Sequence, residues 1–278
     1  MAGWRRHTRG PRHAVFYIFM RIAIGLEYLG VGFCGWQSQP SDCGVQNALE
    51  AAVSTIAGEK ISVTAAGRTD TGVHAAFQVA HFDTTADRPL SAWVRGVNSH
   101  LPNGVAVLWA QEVIEDFHAR FAAIERGYRY VLLNHPVRPG LNTGLVGWHH
   151  RPLDERAMNE AAAYLIGKHD FSAFRAAECQ AKTPVKELRL ATIERRSDYL
   201  LCDFRADGFL HHMVRNIMGC LVHVGAGNQP PAWMREILEG HDRTRAAPTF
   251  DAAGLYLSHI RYPSHFGLPE TSERWLYA

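Results

Sequence analysis

From residue 20 onward the apolar pattern of the chain changes period in a fixed order: strand, helix, strand, strand, helix, strand. It then runs through that order a second time. MRIAIGLEY (20–28) is β-branched and apolar, and a glycine-punctuated loop (30–35) follows it. Ser41 or Asp42 can cap a helix with Val45, Leu49, Ala52, Val53 and Ile56 on one face, and Gly58 closes it. ISVTAA (61–66) and QVAHFD (78–83) predict two strands around the segment 67–74. Pro89 opens a helix through Trp93, Val94 and Val97, and VAVLWAQEV (105–113) is a closing strand. The second round predicts a strand at YRYVLLN (128–134), a loop over 136–147, a helix over 153–166 and strands at KELRLATIERR and YLLCDFRA. A helix over 209–224, a short helix over 232–238 and a strand GLYLSHI complete it. The doubled βαββαβ order predicts an α+β protein of two ferredoxin-like halves. They share a mixed, mainly antiparallel sheet with helices on one side and a central active-site cleft. The expected division is 20–118 for the first half and 119–278 for the second, with the seam near 116–123.

The chain has 278 residues and is 47% hydrophobic, enough for a sizeable core. Its net charge of +2 excludes a protein that grips nucleic acid by bulk charge. Arg5, Arg6, Arg9 and Arg12 stand in an acid-free stretch over residues 1–19, which leaves 25 bases against 27 acids in the rest. That stretch reads as a disordered tail, or as sequence ahead of a start at Met20, because its apolar run is too short and lacks a cleavage site for a signal peptide. No run reaches the roughly 18 apolar residues of a membrane helix. Five scattered cysteines without a C-x-x-C pair argue against a disulfide scaffold or a zinc ribbon and suit a reducing cytoplasm.

The segment with most chemical content is Gly67-Arg68-Thr69-Asp70-Thr71-Gly72-Val73-His74-Ala75. Two glycines permit unusual backbone angles, and one guanidinium and one carboxylate lie between them. Alone, the loop fits two readings: a displayed acid, or an Asx-type turn in which Asp and Gly serve local hydrogen bonding.

GRTDTGVHA resembles the catalytic loop of the A-type tRNA pseudouridine synthases. Further stretches match in the same order: Tyr28 with Gly35-Trp36-Gln37, Val45-Gln46, Gln78-Val79-Ala80-His81-Phe82, Asp116-Phe117-His118-Ala119-Arg120-Phe121, Tyr128-Arg129-Tyr130 and His211-His212-Met213-Val214-Arg215-Asn216. The resemblance implies that Asp70 is the nucleophile, that Arg68 helps hold the flipped base out of the stack, and that Tyr128 packs on the target uracil. It also implies that Arg215 pairs with Asp70 in the cleft and that Arg88 and Arg120 contact tRNA. The implied reaction isomerises uridine to pseudouridine at positions 38 to 40 of the anticodon stem-loop, in a cytoplasmic homodimer. The chain departs from the family at Leu29, where an acid is usual, at Gly127, where a second basic residue often stands, and at Pro136, near a tRNA contact.

These residue types suit that chemistry. Moving uracil from an N1 to a C5 link gains and loses no atoms, so it calls for no redox cofactor or metal. It needs a nucleophile that is ionised at neutral pH and can leave again, as a carboxylate can. Attack at the ribose carbon and attack at uracil C6 both fit. A uridine stacked in a stem must first be flipped out, at a cost of a few kcal/mol. A second functional class, an RNA-binding protein that reads single strands on an open sheet face without catalysis, fits the same fold. The sixteen histidines suggest a third, a metal hydrolase. No H-E-x-x-H motif occurs, and adjacent pairs such as His149-His150 and His211-His212 make poor joint ligands on a helix, where successive residues face apart. The 25 Arg against 4 Lys suit phosphate contact through planar forks.

Overall fold

Strand β1 (Met20–Tyr28) lies at the middle of the first half because it is apolar toward both faces: Ile22, Ala23, Ile24 and Leu26 are all buried. It pairs antiparallel with β3 (His74–Thr84) and β4 (Val105–Val113). The computed structural model describes residues 19–269, so the segment read as an N-terminal tail lies, except for Phe19, outside the described residues. Helix α1 (Val45–Ala57) buries Val45, Leu49, Ala52 and Val53 and ends at Gly58 in the left-handed conformation, φ 73°. Its N-cap is Gly44 rather than Ser41 or Asp42. Asn47 Oδ1 accepts from the Gly44 N–H at 3.2 Å, and Asp42 is engaged by Asn47 Nδ2 at 3.0 Å.

The strand predicted over 61–66 contracts to β2 (Thr64–Ala65), paired with β3. Helix side chains take the donors that a longer strand would use: Ser54 Oγ accepts from the Ile61 N–H at 2.9 Å and Glu50 Oε1 from the Val63 N–H at 2.9 Å. The helix predicted after Pro89 contains a π-type turn, Ala92–Gly96, with Trp93 fully buried.

In the second half, β5 (Glu125–Asn134) starts three residues earlier than predicted. Helix α2 (Glu155–Ala163) is capped by Asp154, whose carboxylate accepts from the N–H groups of Arg156 and Ala157. Strands β8 (Val185–Arg196) and β9 (Tyr199–Ala206) form a hairpin, and α3 (Met213–Gly225), α4 (Trp233–Gly240) and β10 (Leu255–Arg261) follow. Two short strands escaped the pattern: β6 (Gly147–His149), inside the predicted loop, and β7 (Gly167–Asp170), a GKHD run without β-branched residues. Helix α3 begins four residues later than predicted because His212 sits in the left-handed region, φ 62°, where no right-handed helix can continue.

All strands join one sheet in the order β4-β1-β3-β10-β5-β9-β8-β7, with β2 on β3 and β6 on β5. The fold is therefore α+β with a mostly antiparallel sheet, as predicted. The two halves repeat one strand order: β4-β1-β3-β2 in the first and β10-β5-β9-β8 in the second. Strand β10 runs parallel to β3 and antiparallel to β5, and so welds the halves together. Helices α2, α3 and α4 cover the face that carries Tyr130, Leu132, Leu200, Cys202 and Phe204. The alternate residues Val131, Leu133 and Leu201 point the other way, into a small cluster with Val146.

The cysteine reading needs correction at one place. Cys34 and Cys43 are paired as a disulfide, Cα–Cα 5.3 Å, because the loop folds back with the Cys34 N–H donating to the Cys43 carbonyl at 2.8 Å. One bridge is not a scaffold, and Cys179, Cys202 and Cys220 are free and buried.

His81 fastens the segment 116–123 to the sheet: its Nδ1 accepts from the Ala119 N–H at 3.2 Å, and its ring meets the buried Phe117 edge-on. Burial first, and Arg21 second, pull its pKa down to about 4. An unfolded imidazole takes up a proton near pH 6.5, so between about 6.5 and 4 the unfolded chain binds more protons than the folded one. Stability is full above that window and falls as pH drops through it. His74, His118, His149 and His259, also held low by burial, act with the same sign. The urea midpoint is expected to fall steadily between pH 7 and 4.5, and His81→Gln, which keeps an acceptor for Ala119, to flatten part of that fall. A midpoint independent of pH over this range would contradict the assignment.

Candidate active site

The loop between β2 and β3 is held from behind before it displays anything. Gln78, fully buried on β3, donates through Nε2 to the Gly67 carbonyl at 2.7 Å. The Thr69 hydroxyl meets the buried Tyr28 hydroxyl at 2.8 Å, and the Trp36 N–H donates to the Thr69 carbonyl at 2.9 Å. Gly35 is required there: at φ 88° it passes so close that a Cβ would stand 2.7 Å from the Thr69 carbonyl oxygen. The chain then turns, with the Val73 N–H donating to the Asp70 carbonyl at 3.1 Å and Gly72 at φ 78°. Asp70 is left at the tip with its side chain 25% exposed.

His74 ends the loop and is fully buried. Its Nδ1 accepts from the Gly30 N–H at 2.9 Å, so the proton resides on Nε2, which donates to the carbonyls of Ala253 at 2.9 Å and Gly144 at 3.0 Å. The ring stacks on Tyr256 at 4.5 Å. Burial holds its pKa low and keeps it neutral. One imidazole thereby ties the loop to the first half in front and to two segments of the second half behind.

Three basic side chains, two just ahead of α3 and one in its first turn, converge on Asp70. Arg215 Nη1 donates to Oδ2 at 3.3 Å, while its Nε donates to the Phe250 carbonyl at 2.9 Å. His211 Nε2 stands 3.2 Å from Oδ1 and His212 Nε2 3.3 Å from Oδ2. Burial lowers the pKa of His212 against the raising effect of Asp70, so near neutral pH its imidazole is uncharged. Tyr128, half-buried on β5, packs edge-on against Phe209 at 5.1 Å. Burial raises its hydroxyl well above the usual phenol range, and Asp70 is close enough for its charge to add to the effect.

The site residues expected from the sequence thus divide. Asp70 and Arg215 touch, and Tyr128 lies in the same region. Arg68 is exposed beside Asp70 in the loop, without a side-chain hydrogen bond or ion pair among the described residues. Arg88 is exposed and donates through Nε to the Ile56 carbonyl at 3.0 Å, near the end of α1. Arg120 is exposed, with its guanidinium 5.7 Å from the Phe121 ring centre. Neither Arg88 nor Arg120 contacts Asp70. A cavity of about 700 Å³ lies elsewhere, among Tyr128, Arg129, Asp203, His259 and Arg261, and Asp70 does not line it.

His211 and His212 overturn the argument from helical spacing. They precede the helix, and the left-handed backbone at His212 turns both rings to one side, 4.1 Å apart. With Asp70 they form a group of donors that could hold a metal ion. Sequence reasoning passed over them as site residues, although their place just before Arg215 in HHMVRN was a usable signal.

The family model described as tRNA pseudouridine synthase matches residues 25–122 and 161–263. The chain is 79% identical over 259 residues to a tRNA pseudouridine synthase A of Thiobacillus denitrificans, covering 93% of this chain and all of the relative. It is 58% identical to one of Dechloromonas aromatica, over 92% of this chain and 98% of the relative. It is 56% identical to one of Methylobacillus flagellatus, with the same coverage. Fold, loop and matches together define an isomerase. The chain belongs to the tRNA pseudouridine synthase family.

His74→Ala strands the Gly30 N–H and removes the donor to two carbonyls. It is expected to lower stability by about 3 kcal/mol, the sum of unsatisfied buried groups and a cavity. Urea unfolding measures this, and a loss below about 1 kcal/mol would show that the loop is held elsewhere.

Proposed function

We propose that the protein converts uridine to pseudouridine at positions 38 to 40 of the tRNA anticodon stem-loop, with Asp70 as nucleophile. The observation that carries the reading is the Asp70 carboxylate at the tip of a buttressed loop, partly open to solvent, with Arg215 at 3.3 Å. A carboxylate can attack carbon and later leave. During the reaction the N1–C1′ bond breaks, C5–C1′ forms, C5 loses a proton and N1 gains one. Covalent attachment at C1′ or at C6 uses the same carboxylate.

The target uridine is flipped out of its stack. Arg68, exposed and uncommitted to an ion pair, holds the vacated space, and Tyr128 presents a ring to the uracil. Arg88 and Arg120 lie farther out, where phosphates of the stem can reach them. The halves 20–118 and 119–278 supply the loop and the facing wall, respectively. The enzyme works in the cytoplasm as a homodimer, without cofactor. No helix among the described residues is long and apolar enough to cross a membrane.

Tritium release from tRNA carrying 5-tritiated uridine tests the reading. Native protein is expected to release tritium, and Asp70→Ala to bind tRNA while losing at least about 10⁴-fold in rate, the scale of losing a nucleophile. Binding without release by the native protein would leave an RNA-binding protein instead, and an active Asp70→Ala would overturn the nucleophile. For the outer contacts, Arg88→Ala and Arg120→Ala are each expected to weaken tRNA binding and to lower the slope of log K against log salt by about 1. An unchanged slope would remove that residue from the footprint.

A further inference from the structure

We propose that Asp70, His211 and His212 form a binding site for a divalent transition-metal ion of the zinc type, and that the bound ion and the substrate uridine exclude each other. Three side chains that each offer one ligand atom, two imidazole nitrogens and a carboxylate oxygen, have those atoms within 4.8 Å of one another. The imidazoles approach the carboxylate at its two oxygens: His211 Nε2 lies 3.2 Å from Asp70 Oδ1 and His212 Nε2 3.3 Å from Asp70 Oδ2. Tetrahedral zinc with ligand bonds near 2.0 Å has ligand-to-ligand edges of roughly 3.3 Å, which three donors within 4.8 Å of one another reach by side-chain adjustment alone.

The backbone supplies the preorganisation. His212 at φ 62° turns the two adjacent imidazoles to one side, and Asp70 is fixed by a loop tied down at Gly67, Thr69 and His74. No chain movement is needed to bring the donors together. Two imidazoles and one carboxylate with outward positions left open suit zinc, copper(II) or iron(II); magnesium and calcium, which prefer all-oxygen shells, are poorly served.

Arg215, 3.3 Å from Asp70 Oδ2, opposes a cation and limits its affinity. Its contact is to Oδ2 and leaves Oδ1, which His211 faces, free for the ion. The site is thus suited to reversible occupancy rather than to a permanent structural metal. An ion there takes the carboxylate oxygen that attacks the nucleotide, so the exclusion, unlike the site itself, rests on Asp70 being the nucleophile.

Calorimetric titration of the full chain, stripped of metal, with zinc chloride tests the site directly. One ion is expected to bind per chain in the micromolar range with millimolar magnesium present. The His211→Gln, His212→Gln double variant is expected to lose roughly tenfold or more in affinity, as is Asp70→Asn, with urea midpoints confirming that both variants fold. Millimolar or weaker binding by native protein, or equal binding by the folded variants, overturns the site. In parallel, tritium release by native protein is expected to fall over the same zinc range and to return with a chelator. Zinc bound at Asp70 with undiminished release would overturn the exclusion and the nucleophile while leaving the site standing.

Discussion

The insertion of β10 between β3 and β5 is the constraint on which the rest of the molecule depends. Without it the two halves would be separate four-stranded units, each with an exposed edge. With it, Leu257 stands opposite Ala75 on one side and Tyr128 on the other. The ring proposed to meet the uracil is thereby set two strand spacings, roughly 10 Å, from the residue just past the loop that carries Asp70. A slip of one residue in either pairing would turn Tyr128 to the opposite face. The last regular strand of the chain therefore sets the geometry of a site whose acid lies near residue 70.

Charge at the site is balanced by position rather than by total. One carboxylate meets one guanidinium and two imidazoles. Arg215 is itself held twice at Phe250: its Nε donates to the Phe250 carbonyl, and its own carbonyl accepts from the Phe250 N–H. A near-neutral chain can serve a polyanionic substrate in this way, because the field that matters is local.

Much of the fold was legible because its elements announce themselves by period. β1, β8 and β9 fall within a residue of their predicted bounds, and α1 ends where predicted and starts two or three residues late, each with a long apolar face. What was not legible depended on groups distant in sequence. The strand at 61–66 lost its donors to Ser54 and Glu50, and β7 has a polar GKHD sequence that only its partner β8 makes a strand. The candidate site shows the same division. Asp70 and Arg215 could be paired through the family resemblance, whereas the approach of His211 and His212 required a left-handed residue that periodicity does not reveal. The cysteine bridge hid for a similar reason: a separation of nine residues carries no signature, and the turn that closes it is set by backbone hydrogen bonds.

The close passage of Gly35 under Thr69 has a thermodynamic consequence. A loop fixed through Tyr28, Trp36, Gln78 and His74 has its conformational entropy removed during folding, before any RNA arrives. In the proposed reaction, contact energy from tRNA is then available for unstacking a uridine instead of for ordering the loop that carries Asp70. Methyl-sized growth at position 35 would reverse that order, making each encounter with substrate also an episode of local folding.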